Sequence, residues 1–151
     1  MNKRAYEKYL KACEQIRTEN EAILSEFQEW LLNQGLSSKV VKKHIDNIDF
    51  YLNEYLLYED AVKAAEGAGR IDMYLSYWFI KKASWASPSL IRSSAASLKK
   101  FYTFMREKGL IGEEALKDVK DTIKENMSDW VATVDRYDDA SITDPNDIWG
   151  F

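Results

Sequence analysis

The sequence predicts an all-α helical bundle. Apolar residues recur at helical spacing along most of the chain, and no stretch sustains the period-two alternation of a half-buried strand. Only two prolines and six glycines interrupt 151 residues, which favours long helices over short strands and turns. With 46% hydrophobic and 30% charged residues, the composition is that of a globular domain large enough to bury a real core. There is no internal repeat and no low-complexity segment.

The elements follow in order. Tyr6, Leu10, Cys13 and Ile16 share one helical face. Thr18-Glu19-Asn20-Glu21 has the form of a capping box, so a second helix is expected to begin there, leaving residues 1–18 as an N-terminal helical extension. Ile23, Leu24, Phe27, Trp30 and Leu31 make a wide apolar stripe that Gly35 stops. Ser37 or Ser38 caps the next helix, whose stripe runs through Val40, Val41, His44, Ile45, Ile48, Leu52, Tyr55 and Leu56. Glu66-Gly67-Ala68-Gly69 is a turn, followed by a helix with Ile71, Tyr74, Leu75, Trp78 and Phe79 inward. Ser87-Pro88 is the clearest start signal, a hydroxyl N-cap with proline at the first helical position. The helix it opens turns Leu90, Ile91, Ser94, Ala95, Leu98, Phe101, Tyr102 and Met105 inward and ends at Lys108-Gly109. A last helix starts at Gly112-Glu113-Glu114 and runs through Leu116, Val119, Ile123 and Met127, weakly reaching Trp130 and Val134. From Asp135 the acidic, proline-containing tail is expected to be irregular. Residues 19–112 are thus the central domain, and 113–151 a C-terminal helix with its tail.

Little here builds a catalytic or metal centre. The only cysteine, Cys13, excludes an internal disulfide and a cysteine-based zinc site, and its helical face makes it a buried structural thiol. The only histidine, His44, lies on an apolar stripe and has no second histidine to share a metal or serve a nucleophile. Gly67-Ala68-Gly69 lacks the lysine and strand of a phosphate loop, and no cofactor motif is present. The pairs Glu113/Glu114 and Asp138/Asp139 sit in charge-rich segments suited to solvation. No apolar run reaches membrane-spanning length, and Met-Asn-Lys-Arg-Ala-Tyr-Glu has no signal-peptide core, so a reducing, cytoplasmic compartment is expected.

Charge is unevenly placed. The chain carries a net −4, yet residues 81–109 hold seven Lys or Arg against one Glu, while residues 110–151 hold four against eleven acids. A positive face can therefore meet an anion although the protein is acidic overall. On the helix opened at Pro88, Arg92, Lys99, Lys100 and Thr103 lie opposite the apolar stripe, with Ser89, Ser93 and the small Ala96 beside them. Long cations, hydroxyls and small residues on one face suit a sugar-phosphate backbone. Ser37, Ser38, Lys39, Lys42 and Lys43 form a second cluster at another helix start.

Several segments in order resemble the core-binding domain of tyrosine recombinases and phage integrases. They are Trp30-Leu31, Gly35-Leu36-Ser37-Ser38-Lys39-Val40-Val41-Lys42-Lys43-His44-Ile45, Phe50-Tyr51-Leu52 and Ile71-Asp72-Met73-Tyr74-Leu75. The long stretch from Ser87-Pro88 to Phe101-Tyr102-Thr103-Phe104-Met105, then Gly109-Leu110-Ile111, is similar to that domain's final helix and exit. The resemblance spans roughly residues 22–112. It implies a SAM-like four-helix bundle, here with an extra N-terminal helix and a C-terminal helix plus acidic tail, that grips duplex DNA. Carried over by position, it points to Lys39, Lys42, Lys43, Ser89, Arg92, Ser93, Lys99 and Lys100 as DNA-binding residues. The family's catalytic domain, with its Arg, His-x-x-Arg and tyrosine nucleophile, has no counterpart in the residues after Gly112, so no strand cleavage is expected.

Two readings stay open. One is a non-catalytic module that grips duplex DNA mainly through phosphates. The other is a SAM-like protein-interaction module without DNA binding, suggested by the acidic tail and the apolar Ile148-Trp149-Gly150-Phe151, which can dock on a partner or on the bundle itself. The tail can equally fold over the basic face as an internal competitor.

Overall fold

The structure, a computed structural model describing residues 2–83 and 85–138, is an all-α bundle of five helices with no strand among the described residues. The helices are α1 (Lys3–Asn33), α2 (Ser38–Phe50), α3 (71–82), α4 (Pro88–Glu107) and α5 (Glu113–Asp138). None is long and apolar enough to cross a membrane.

α1 is one uninterrupted helix of 31 residues, capped by Asn2, whose side chain accepts from the Ala5 N–H at 2.8 Å. The expected restart at Thr18 does not occur. The Thr18 hydroxyl instead donates back to the Glu14 carbonyl, and Asn20 is buried and donates to the Asn53 side chain at 2.8 Å. Thr18 and Asn20 are thus both engaged inside a continuing helix. The first two turns overhang the core, leaving Tyr6 and Leu10 about half exposed, whereas Cys13 and Ile16 form a small buried cluster with Leu57. Tyr9 completes it by donating to the Leu57 carbonyl.

Ser37 is the N-cap of α2, accepting from the Val40 N–H. Val40, expected inward, is exposed; Val41, His44 and Ile48 face in. The helix closes in a π turn, Tyr51–Tyr55, where the Leu56 N–H reaches back five residues to the Tyr51 carbonyl. α3 carries a second π turn, Tyr74–Trp78, between Ile71–Met73 and Phe79–Lys82. Rings from these two turns interlock, with centroids 4.7 Å apart for Tyr51 and Tyr74 and 5.2 Å for Tyr55 and Trp78. Of the residues expected inward on α3, Ile71, Tyr74, Leu75 and Phe79 are buried and Trp78 half-buried.

The α2–α3 connection is pinned from below. Tyr51 donates to the Gly67 carbonyl at 2.6 Å and Tyr102 to the Ala64 carbonyl at 2.8 Å. The short 3-10 segment Glu66–Gly69 therefore presses its backbone onto two buried phenols. A Cβ on Gly67 would lie 2.5 Å from the Tyr102 hydroxyl and 2.7 Å from Leu56, so only glycine fits.

α4 is the central helix, packed most extensively on α5, then on α2, and also on α1. Ser87 caps it through the Leu90 N–H with Pro88 at the first position. Every inward residue expected on it is buried except Leu90, which is half-buried, and Ser97 and Phe104 are buried as well. Phe27 of α1 meets Phe101 edge-on at 5.2 Å and lies 5.4 Å from Phe104. The helix stops where Gly109 takes a φ of 75° and the Leu110 N–H bonds the Met105 carbonyl, with Gly109 bonding Arg106. α5 contributes Leu116, Val119, Trp130 and Val134 to the main core, and the Trp130 indole donates to Asp72 at 2.9 Å. It stays helical through Asp138, past the point where the sequence suggests irregular chain. The remaining acidic tail, 139–151, lies outside the described residues.

Candidate nucleic-acid interface

α2 and α4 lie side by side and antiparallel, because His44 pairs with Ser97 while Asn47, one turn on, reaches back to Ser93. The seam between them is polar. Asn47 donates to the hydroxyls of Ser97 at 2.9 Å and Ser93 at 3.1 Å, and His44 Nδ1 lies 2.7 Å from the Ser97 oxygen. Since Ser97 accepts from Asn47, its hydroxyl proton is free to donate to Nδ1, which leaves the imidazole proton on Nε2. Burial, followed by the nearby Lys100 and Lys43 ammonium groups, holds the imidazole below its ordinary pKa, so it is neutral at pH 7. His44 is a buried, hydrogen-bonded structural residue.

The antiparallel arrangement sorts the candidate residues into two groups. Lys39 and Lys43, at the start of α2, lie toward the later part of α4, where Lys99 and Lys100 are found. Both Lys43 and Lys100 act on the His44 ring. Ser89 and Arg92 sit at the opposite end, the span from 89 to 100 being about 16 Å at 1.5 Å per residue. The two helix starts therefore mark the ends of one strip rather than a shared pocket. Lys39, Lys43, Ser89, Arg92 and Lys99 are exposed and Lys100 half-buried. Among the described residues, Lys39, Lys43, Arg92, Lys99 and Lys100 make no ion pair.

Two candidates stand apart. Lys42 is bound to Asp46 at 2.6 Å on its own helix and lines a shallow concavity with Gln28 and Leu32 of α1, away from α4. Ser93 is half-buried and taken up by Asn47. Asn47 and Ser97, which the sequence did not mark, hold the strip together. Their signal was available: each is a polar residue one turn from another on an otherwise apolar face, where a buried polar group requires a partner.

A strip of cations about 16 Å long, unpaired among the described residues and backed by a polar seam, can accept successive phosphates of one strand, while the Ser97–His44 pair within the seam is buried. Among the described residues no group of three or more His, Cys, Asp or Glu is placed to hold a metal ion. Comparison of the chain with protein-family models, curated proteins and solved structures finds no match.

Proposed function

We propose that the α2–α4 strip binds duplex DNA, mainly through its phosphates, and that the protein is a non-catalytic module of the tyrosine-recombinase core-binding type in a reducing, cytoplasmic compartment. The observation that carries this reading is the set Lys39, Lys43, Arg92, Lys99 and Lys100, unpaired among the described residues on two helices locked in register. Ser89, exposed in the first turn of α4, adds a hydroxyl at one end. The ordered resemblance of residues 22–112 supports the same assignment.

The test is fluorescence anisotropy of a labelled duplex of about 20 base pairs at several salt concentrations. Binding is expected at low salt and should weaken at least about tenfold towards physiological salt. Arg92→Glu combined with Lys100→Glu should abolish it while circular dichroism stays unchanged. Normal binding by that double variant would show that the strip is not the DNA site.

One observation favours a second reading, a protein-interaction module. Trp85 is 58% exposed and meets Phe50 edge to face beside the start of α4, lining a shallow concavity with Leu90. An exposed tryptophan at a concave position is a common anchor for a protein partner. Absence of duplex binding at every salt concentration would favour this module.

A further inference from the structure

An aromatic side chain stands at one end of the cationic strip. Trp85 is 58% exposed although nearby alanines turn inward: Ala83 is buried and Ala86 packs against the core. The Ala86 N–H closes a turn on the Ala83 carbonyl at 3.1 Å, and the Ser87 cap with Pro88 then starts α4. Backbone bonds on both sides therefore hold the indole outward, in the turn that leads into the strip. A rigid ring on a backbone so fixed loses little conformational freedom when it meets a ligand.

Trp85 borders a concavity of about 200 Å³ where α2, α3 and α4 meet. Phe50, with its ring centroid 6.1 Å from the indole, and Leu90 give it apolar walls, and Asn47 and Ser94 give it a polar edge. The concavity is continuous with the seam, because the same Asn47 donates to Ser93 and Ser97. Asp46 is the charged member of its lining, and Lys42 pairs with that carboxylate at 2.6 Å. Ser89 and Arg92 follow on α4, and the four residues from Trp85 to Ser89 span at most roughly 14 Å.

A planar group joined to an anion matches an exposed indole beside unpaired cations, and a nucleobase with its phosphate is such a group. Paired bases are stacked inside the duplex and out of reach, whereas an unpaired base can leave the stack and find a new one on an aromatic ring. We propose, resting on the DNA reading of the strip, that Trp85 stacks an unpaired base at this end while Ser89 and Arg92 hold the neighbouring phosphates. The protein then favours duplex that contains an unpaired nucleotide over perfect duplex. The adjoining cations favour this occupant over an apolar protein segment, which gains nothing from them.

Fluorescence anisotropy of the full chain with three labelled probes of about 20 base pairs tests this. The probes are perfect duplex, the same duplex with one unpaired central nucleotide, and that bulge with its base removed. The unaltered protein should bind the base-bearing bulge at least about fivefold more tightly than either other probe, the lower end for one stacked base. Trp85→Ala should remove that preference and leave perfect-duplex affinity within about twofold, while Trp85→Phe, with a smaller ring, should keep part of it. Equal binding of perfect and bulged duplex would overturn the proposal and leave the strip reading standing. So would equal binding of the bulge with and without its base, since deformability of the DNA would then be responsible. A preference that survives Trp85→Ala would place the base elsewhere and overturn it as well. Loss of perfect-duplex binding in a Trp85→Ala variant of unchanged circular dichroism would make the ring a general docking contact, against the proposal. No binding of any probe would remove the strip reading, and this inference with it.

Discussion

At residue scale, His44 and Gly67 carry the sharpest consequences. The folded protein holds the His44 imidazole below its ordinary pKa of 6.5, by burial and by Lys100 and Lys43, so the unfolded chain takes up the proton first as pH falls. Stability from this group is therefore full above pH 6.5 and is lost as pH drops below it, through the interval down to the depressed folded value. His44→Gln, which can still reach Ser97, should flatten that part of the acid limb in urea denaturation measured at pH 7 and pH 5; an unchanged limb would mean that the ring is not the group responsible. Gly67→Ala puts a methyl group 2.5 Å from the Tyr102 hydroxyl and 2.7 Å from Leu56, neither of which can retreat from the packed core. It should lower stability by about 2 kcal/mol, in the range of overpacked cores, and the urea midpoint reads it directly. Helical periodicity placed His44 on the inward stripe, but only the fold shows Gly67 against two phenols.

At the scale of elements, the ends of helices are written more plainly in the sequence than their middles. Ser37, Ser87-Pro88 and Gly109 do what their types suggest, because each satisfies a local backbone requirement within three residues. Ser87→Ala should cost about 1 kcal/mol by removing the Leu90 N–H partner. Gly109→Ala meets no atom within 4 Å, so its expected cost of about 1 kcal/mol is backbone strain at a φ of 75° alone. A thermal melt of either variant showing no drop in midpoint would contradict these assignments. Thr18 to Glu21 misleads for the same local reason: the pattern permits a helix start, but Asn20 finds a distant partner in Asn53 and the helix runs on. The π turns have no local signature at all, being produced where the rings of α2 and α3 interlock.

For the whole molecule, the cations of the proposed strip, unpaired among the described residues, set the salt dependence of binding. Binding through five cations predicts that log K falls with log salt at a slope of at most about −0.9 per phosphate engaged, and that Lys99→Gln or Lys43→Gln each lessens the slope by roughly one. An unaltered slope in both variants would remove these lysines from the interface. Lys42, tied to Asp46 and turned towards α1, should change it less.

The sequence by itself determined the helical class, most helix boundaries, the buried face of α4 and the presence of a cationic cluster. These depend on periodicity, caps and composition, which act over a few residues. The tertiary structure decided which cations share a strip, because that depends on α2 and α4 running antiparallel. It also decided that α1 overhangs the core, exposing Tyr6 and Leu10, and that the α2–α3 connection is clamped at Gly67. Such features arise from contacts between residues tens of positions apart, which no local pattern encodes.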